Sequence, residues 1–461
     1  MTDTADGVVA VVWEGCPTCK LVAPVIEQLQ AAGVVSALHR EETDAGLEAS
    51  YRLGVDTVPT LVRDDERIVG WSREAWETFT GVADLGAGLP DYRPGCGSRT
   101  QEPGVVDELA ERFGAETLLS RRVELAPLED EMEALFDRGW TDGLPVVPPT
   151  AARVLRMLAG TTRAPDEVVA VVPPDLVEAT VEKVAINAVM AGCKPEYLPI
   201  VLACVEAACT DAFNGHGLLA TTYFSGPVVI VNGPLARAVE MNSGGNALGQ
   251  GNRANATIGR ALQLVIRNVG GGKPGGVDRA TLGNPGKYSF CFAEDEETSP
   301  WEPLSVERGF SSDATTVTLF AGEGPRGVVD QLSRTPESLA RTFAVCLQSV
   351  AHPKLVLGFD AVLVVSPEHA RVFAEGGWDK ARLRKELFEL LTQPGDELIR
   401  GAGGIAEGLP EAFKGASLPK FRPDGLLIVH AGGRAGLFSS IIGGWVNGET
   451  GSQPVTMEVK S

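Results

Sequence analysis

Residues 8–19 read VVAVVWEGCPTC, and the rest of the chain is best approached from this stretch. Val8-Val9-Ala10-Val11-Val12 is a continuous apolar run of strand length, followed by a turn at Trp13-Glu14-Gly15. Beyond Cys16-Pro17-Thr18-Cys19, Leu21, Val22, Val25, Ile26 and Leu29 recur at helical spacing as far as Ala31-Ala32-Gly33. The first sulfur is therefore expected at a helix N-terminus, where free N–H groups and the helix dipole favour a thiolate. The second lies three residues on, on the same face, placed to attack a mixed disulfide. Lys20 adds a nearby positive charge.

Further along, the pattern predicts a strand over 34–39 and a helix over 45–53. A hairpin of TVPTLV (57–62) and RIVGW (67–71) follows, and then a helix over 73–79. This β-α-β-α-β-β-α order, with CPTC at the first turn and TVPT before the hairpin, resembles the thioredoxin/glutaredoxin family over residues 7–81. The resemblance implies a nucleophilic Cys16, a resolving Cys19, a redox-active Cys16–Cys19 disulfide and a cis Pro59 facing it. The motif is CPTC where thioredoxins carry CGPC, and the additional N-terminal strand and helix of that family are missing. A structural zinc pair is the weaker reading, because no second C-x-x-C lies at zinc-finger spacing.

Residues 81–104, GVADLGAGLPDYRPGCGSRTQEPG, are dense in Gly, Pro and polar residues and read as a domain boundary. Cys96 lies between two glycines there. On a mobile loop it is either a shuttle thiol that exchanges with Cys16–Cys19 or an exposed bystander. Residues 101–137 hold eleven acids against three arginines and read as an acidic helical connector. The expected organisation is thus a thioredoxin/glutaredoxin-like domain over 1–81, a linker and connector over 82–137, and a larger domain over 138–461.

In that larger domain one pattern repeats. VVAVV (168–172), VVIV (228–231), AVLVV (361–365) and LLIV (426–429) each end at a small or polar residue, turn at Pro or Gly and lead into a helical segment. Apolar strands alternating with helices predict an α/β domain with a mostly parallel sheet. Ligands of such sheets bind beyond the strand C-termini. Asn232, Ser366 and His430 occupy that place and are expected to converge on one pocket, with turn capping as the alternative for the first two. The loop NSGGNALGQGNR (242–253) feeds a helix and offers backbone N–H groups to an anion, with Asn246, Asn252 and Arg253 as its side-chain ligands. His216, between glycines, is a candidate acid/base facing a ligand. Cys193, in the helix break GCKPEY with Lys194 adjacent, is a candidate second reactive thiol. The acidic stretch EDEE (294–297) could supply a general acid/base or a solvated loop. No H-x-x-x-H or H-E-x-x-H pair occurs, so spacing indicates no metal site, and no cofactor beyond the disulfide is identified.

The stretches WTDGLPVVPPT (140–150), VAINAVMAGCKPEYLP (184–199) and GNRANATIGRALQL (251–264) resemble an uncharacterised bacterial family associated with selenoproteins bearing a U-G-S-C motif. That resemblance, over residues 138–445, implies sulfur or selenium redox chemistry and a partner protein with a redox-active Cys or selenocysteine.

Composition narrows the classes. The 461 residues carry 61 acids and 40 bases, a formal charge of −21, which repels nucleic acid and anionic membrane surfaces. The longest apolar stretch, 198–209, is too short for a membrane span and contains Glu206. Eight cysteines are too sparse for a secreted disulfide scaffold, so a reducing cytoplasm is the expected compartment. The leading expectation is a thiol-dependent oxidoreductase whose front domain serves a small polar or anionic substrate in the larger one. A non-redox lyase or hydrolase with a thiol-protecting module, and a thiol-based metal or metalloid binding protein, are the alternatives. A homo-oligomer is left open.

Overall fold

The computed structural model describes residues 7–460. The chain forms two compact units, Met1–Leu118 with Thr150–Leu155, and Leu119–Pro149 with Arg156–Ser461. Each mixes helices with strands, and among the described residues no helix is long and apolar enough to cross a membrane.

The small unit runs β1 (Val8–Val12), α1 (Pro17–Ala31), β2 (Val35–Arg40), α2 (Asp44–Arg52), β3 (Thr57–Val58), β4 (Thr60–Arg63), β5 (Glu66–Val69), β6 (Trp71–Ser72), α3 (Arg73–Thr80), β7 (Tyr92–Arg93) and β8 (Cys96–Gly97). Four strands form a sheet in the order β2-β1-β4-β5. β1 is parallel to β2 and antiparallel to β4. The continuous apolar run of β1 is an interior strand, and Val22, Val25, Ile26 and Leu29 bury one stripe of α1. Each such side chain contributes about 1.5–3 kcal/mol. Trp71 and Trp76, both fully buried, meet edge to face with centroids 5.0 Å apart and complete this core.

The expected free linker is instead part of this unit. Leu85 is fully buried, and Trp71 Nε1 donates to Pro90 O at 2.6 Å. The Arg73 guanidinium donates to the carbonyls of Leu85, Gly86 and Leu89. β7 pairs with β6 and β8 with β3. Glycine and proline mark irregular backbone, and irregular backbone still packs when one arginine satisfies its carbonyls.

In the large unit VVAVV (168–172) is not a strand of the main sheet. It forms a two-stranded hairpin, β9 (Val168–Val172) with β10 (Val177–Thr180), and the helical segment expected directly after the run begins only at Val181. The main sheet comprises β11 (Gly226–Asn232), β12 (Cys291–Ala293), β13 (Thr316–Gly322), β14 (Arg326–Val329), β15 (Phe359–Val365), β18 (Leu426–His430), β19 (Phe438–Val446) and β20 (Val455–Glu458). A small separate ribbon, β16 (Thr392–Pro394) with β17 (Ser417–Pro419), lies between β15 and β18 in sequence.

The spatial order is β12-β11-β13-β19-β15-β18. It is built from two similar halves. In each, a parallel pair (β11 with β12, β15 with β18) is followed by a strand antiparallel to the first member (β13, β19). The sheet is therefore mixed, and the expectation of a mostly parallel one is corrected. Continuous apolarity reports burial on both faces, which β13 and β15 have, and carries no information about strand direction. All six strands send side chains into one shared core, including Phe292, Ile230, Phe320, Ile442, Val364 and Val429. The outer strands meet at their C-terminal ends, where Asp295 N donates to His430 O at 2.8 Å.

Candidate functional site

Cys16 is the N-cap of α1 and Pro17 its first residue, so the Cys16 sulfur accepts the Cys19 N–H at 3.4 Å. The opposite wall is the Val58–Pro59 segment, whose peptide bond is cis; Cys16 Sγ lies 3.5 Å from Val58 O. The third sulfur arrives through strand pairing. β8 runs antiparallel to β3 with Cys96 opposite Val58, which sets Cys96 Sγ 2.7 Å from Cys16 Sγ. Thr18, itself buried, ties the turn before β8 down by donating its hydroxyl to Pro94 O at 2.7 Å. On the far side Glu41, fully buried, accepts the hydroxyls of Ser50 and Ser98 and the Arg99 N–H.

The three thiols differ in their readiness to ionise. Burial opposes the Cys16 thiolate, but hydrogen bonds from Cys96 and from the Cys19 and Thr18 backbone outweigh it and bring Cys16 below the ordinary thiol range. Burial, reinforced by the Cys16 sulfur, pushes Cys19 far above that range despite the Trp13 N–H that Cys19 accepts at 3.4 Å. Burial and the bond to Cys16 also raise Cys96, against the Thr18 N–H and the Arg93 charge. All three sulfurs are free thiols here. Cys16 and Cys19 are buried, and Cys96 is partly exposed, the outermost of the set. Of the three, Cys16 is therefore the thiol that ionises most readily. Thr18, Arg93 and Glu41 were not singled out in the sequence; their positions depend on long-range pairing that spacing does not report.

In the large unit Asn232 and His430 do come together, through a residue placed only in an acidic loop. Glu294 is buried and accepts the Asn232 amide at 2.8 Å, the Leu304 N–H at 2.7 Å, the His430 N–H at 3.3 Å and the Lys380 ammonium at 3.3 Å. His430 Nδ1 lies 3.0 Å from Asp295 O. Ser366 follows Val365, the strand partner of His430, and its hydroxyl makes no cap bond although it begins a helix. Asn232 Oδ1, Ser366 Oγ and His430 Nε2 are all buried without a partner among the described residues.

The glycine- and asparagine-rich loop lies against the same strand ends, with Gly432 N donating to Ser243 O at 2.8 Å. Several of its polar side chains bond backbone carbonyls of the loop and of its neighbours. Asn246 Nδ2 donates to Gln250 O, Asn252 caps the helix Arg253–Asn268 and bonds Glu240 O, and Arg253 Nε donates to Gly192 O. Cys193 is buried, with burial pushing its thiol up to about 12 against Thr257 and the Arg253 charge, while Lys194 points to solvent. The cation expected to activate it is outweighed by desolvation. His216 is exposed on the short helix Gly215–Ala220.

No family model matches the chain, and no curated protein matches it.

Proposed function

We propose that the small unit is a thioredoxin/glutaredoxin-like thiol–disulfide exchange module, and that its working pair is Cys16 with Cys96. The observation carrying this reading is the 2.7 Å approach of the two sulfurs, with Cys16 buried inside and the partly exposed Cys96 facing out. A covalent S–S bond is about 2.05 Å, so little movement separates the thiol pair from the disulfide.

In the oxidised protein an external thiolate attacks the outer Cys96 sulfur. The Cys16–Cys96 bond breaks and Cys16 leaves as a thiolate, which the Cys19 and Thr18 backbone N–H groups stabilise as it departs. A second external thiolate attacks the external sulfur of the mixed disulfide on Cys96. It releases the Cys96 sulfur, which takes up a proton. Two external thiols become one disulfide, and the protein gains two electrons as a dithiol. Run in reverse, those electrons reduce a disulfide or selenenylsulfide on a partner, or pass to chemistry on a small substrate held by the large unit. Cys19 is the reserve thiol behind Cys16, and Pro59 shapes the wall opposite it.

The test is disulfide mapping of oxidised full-length protein, together with turnover of glutathione disulfide by Cys16→Ser, Cys19→Ser and Cys96→Ser variants. A Cys16–Cys96 bond, and loss of exchange in the Cys16 and Cys96 variants, are expected. A Cys16–Cys19 bond with full activity of Cys96→Ser would overturn the assignment of the pair.

A further inference from the structure

The large unit has a partly open cavity of about 530 Å³ at the other end of β11 from Asn232, within the range of small-molecule sites. Three of its lining residues bring polar atoms that are buried and bonded to nothing: Ser225 Oγ, Gln263 Nε2 and Arg267 Nε. Ser225 is 1% exposed and immediately precedes β11. Gln263 and Arg267 lie one turn apart on the helix Arg253–Asn268 and so share a face. All three atoms are hydrogen-bond donors, the serine hydroxyl being able to accept as well.

The charges on the wall make the same point. Asp278 is neutralised by Lys287 at 2.7 Å and Asp142 by Arg260 at 2.8 Å, whereas Arg267 has no acid beside it among the described residues. One uncompensated cation, Arg267, and the donor-bearing Ser225 and Gln263 therefore line a space that also has an apolar wall, with Val172, Pro173, Phe213, Leu218, Ile266 and Leu282. Leaving buried donors unmade costs about 1–3 kcal/mol each, more for a charged one, so three donors without a protein acceptor favour a ligand that brings acceptors of its own.

We infer that this cavity binds a small organic carboxylate with an apolar body. The carboxylate oxygens take the Arg267, Gln263 and Ser225 donors, and the hydrocarbon part fills the remainder. This deepens the preceding proposal by naming the substrate class for the large unit. Binding is measured without any redox turnover, so either proposal can fail while the other stands.

The experiment is calorimetric titration of the full-length protein with 4-methylvalerate and phenylacetate, alongside the matching neutral amides and inorganic phosphate. One-site binding with Kd below about 1 mM is expected for the carboxylates, weakened at least about tenfold in the amides. Arg267→Met removes the binding while leaving the empty protein at least as stable to heat, because a functional cation is being exchanged for packing. Ser225→Ala and Gln263→Leu weaken binding as a second, milder series. Absence of carboxylate binding, equal affinity for the amides, equal affinity for phosphate, or undiminished binding by Arg267→Met together with the milder pair would overturn the assignment.

Discussion

Cys96 Sγ stands 2.7 Å from Cys16 Sγ although 80 residues of chain separate them, and the register that brings them together is a two-residue strand pairing with Val58 at its centre. The contact sets the Cys96 thiol directly against the Cys16 sulfur. Its S–H is the leading hydrogen bond opposing the burial of the Cys16 thiolate. Cys96→Ala leaves burial less opposed, so the midpoint of thiolate formation at Cys16 moves to higher pH. Ultraviolet thiolate absorbance in a Cys19→Ser background, with and without Cys96→Ala, reads this directly. An unchanged or lower midpoint would contradict the hydrogen bond.

Gly95 is the backbone device that allows the approach. A Cβ there would fall 2.5 Å from Thr57 Cγ2 and 2.8 Å from Val58 O, both on the strand that β8 must pair with. Gly95→Ala therefore pushes β8 away from β3 and carries Cys96 with it. A stability loss of about 1–3 kcal/mol is expected from the overpacking, measured by urea unfolding. The rate of Cys16–Cys96 bond formation under mild oxidant falls in parallel, while alkylation of Cys96 in the reduced protein becomes faster.

The local part of this site was legible in the sequence. VVAVV before CPTC and the apolar stripe behind it placed Cys16 at a helix start, because both signals lie within one element and the next. Cys96 was assigned to a mobile loop for the opposite reason. Nothing in YRPGCGS reports that Arg73 and Trp71, some twenty residues earlier, hold the loop's carbonyls. The same divide separates Asn232 and His430, whose positions at strand ends follow from local patterning, from Glu294, which bonds both and looked like solvated acid. Asn246, Asn252 and Arg253 were singled out by residue type alone. Type does not say whether a polar group is left over once the loop has satisfied its own backbone.

Glu294 and Lys380 form a buried ion pair at 3.3 Å, with both side chains almost wholly excluded from water and Glu307 a further 3.6 Å contact of the ammonium. Replacing Lys380 with Met leaves a carboxylate buried without its cation. A loss of about 3–5 kcal/mol is expected, against a much smaller one for Lys380→Met combined with Glu294→Gln, which removes both charges. Denaturant melts of the two variants separate the outcomes. Equal losses would mean that packing around Lys380 dominates the charge.

Asp330 is a carboxyl of the large unit whose folded-state bonds make stability depend on acid pH. Burial works against its carboxylate, but bonds from the Thr342 hydroxyl at 2.5 Å, the Ser333 N–H at 2.8 Å and hydroxyl at 2.7 Å, and the Leu332 N–H at 3.2 Å hold it down to about 2. A carboxyl whose folded pKa lies below its unfolded value of about 3.9 contributes stability that is complete above the unfolded value and lost as pH falls through the folded one. The contribution, on the order of 1–2 kcal/mol after allowing for its partial exposure, therefore disappears between about pH 4 and pH 2. Asp330→Asn is expected to lower stability at neutral pH by that amount and to flatten the acid limb of the stability curve. An unchanged slope between pH 4 and pH 2 would show that other carboxylates control acid unfolding.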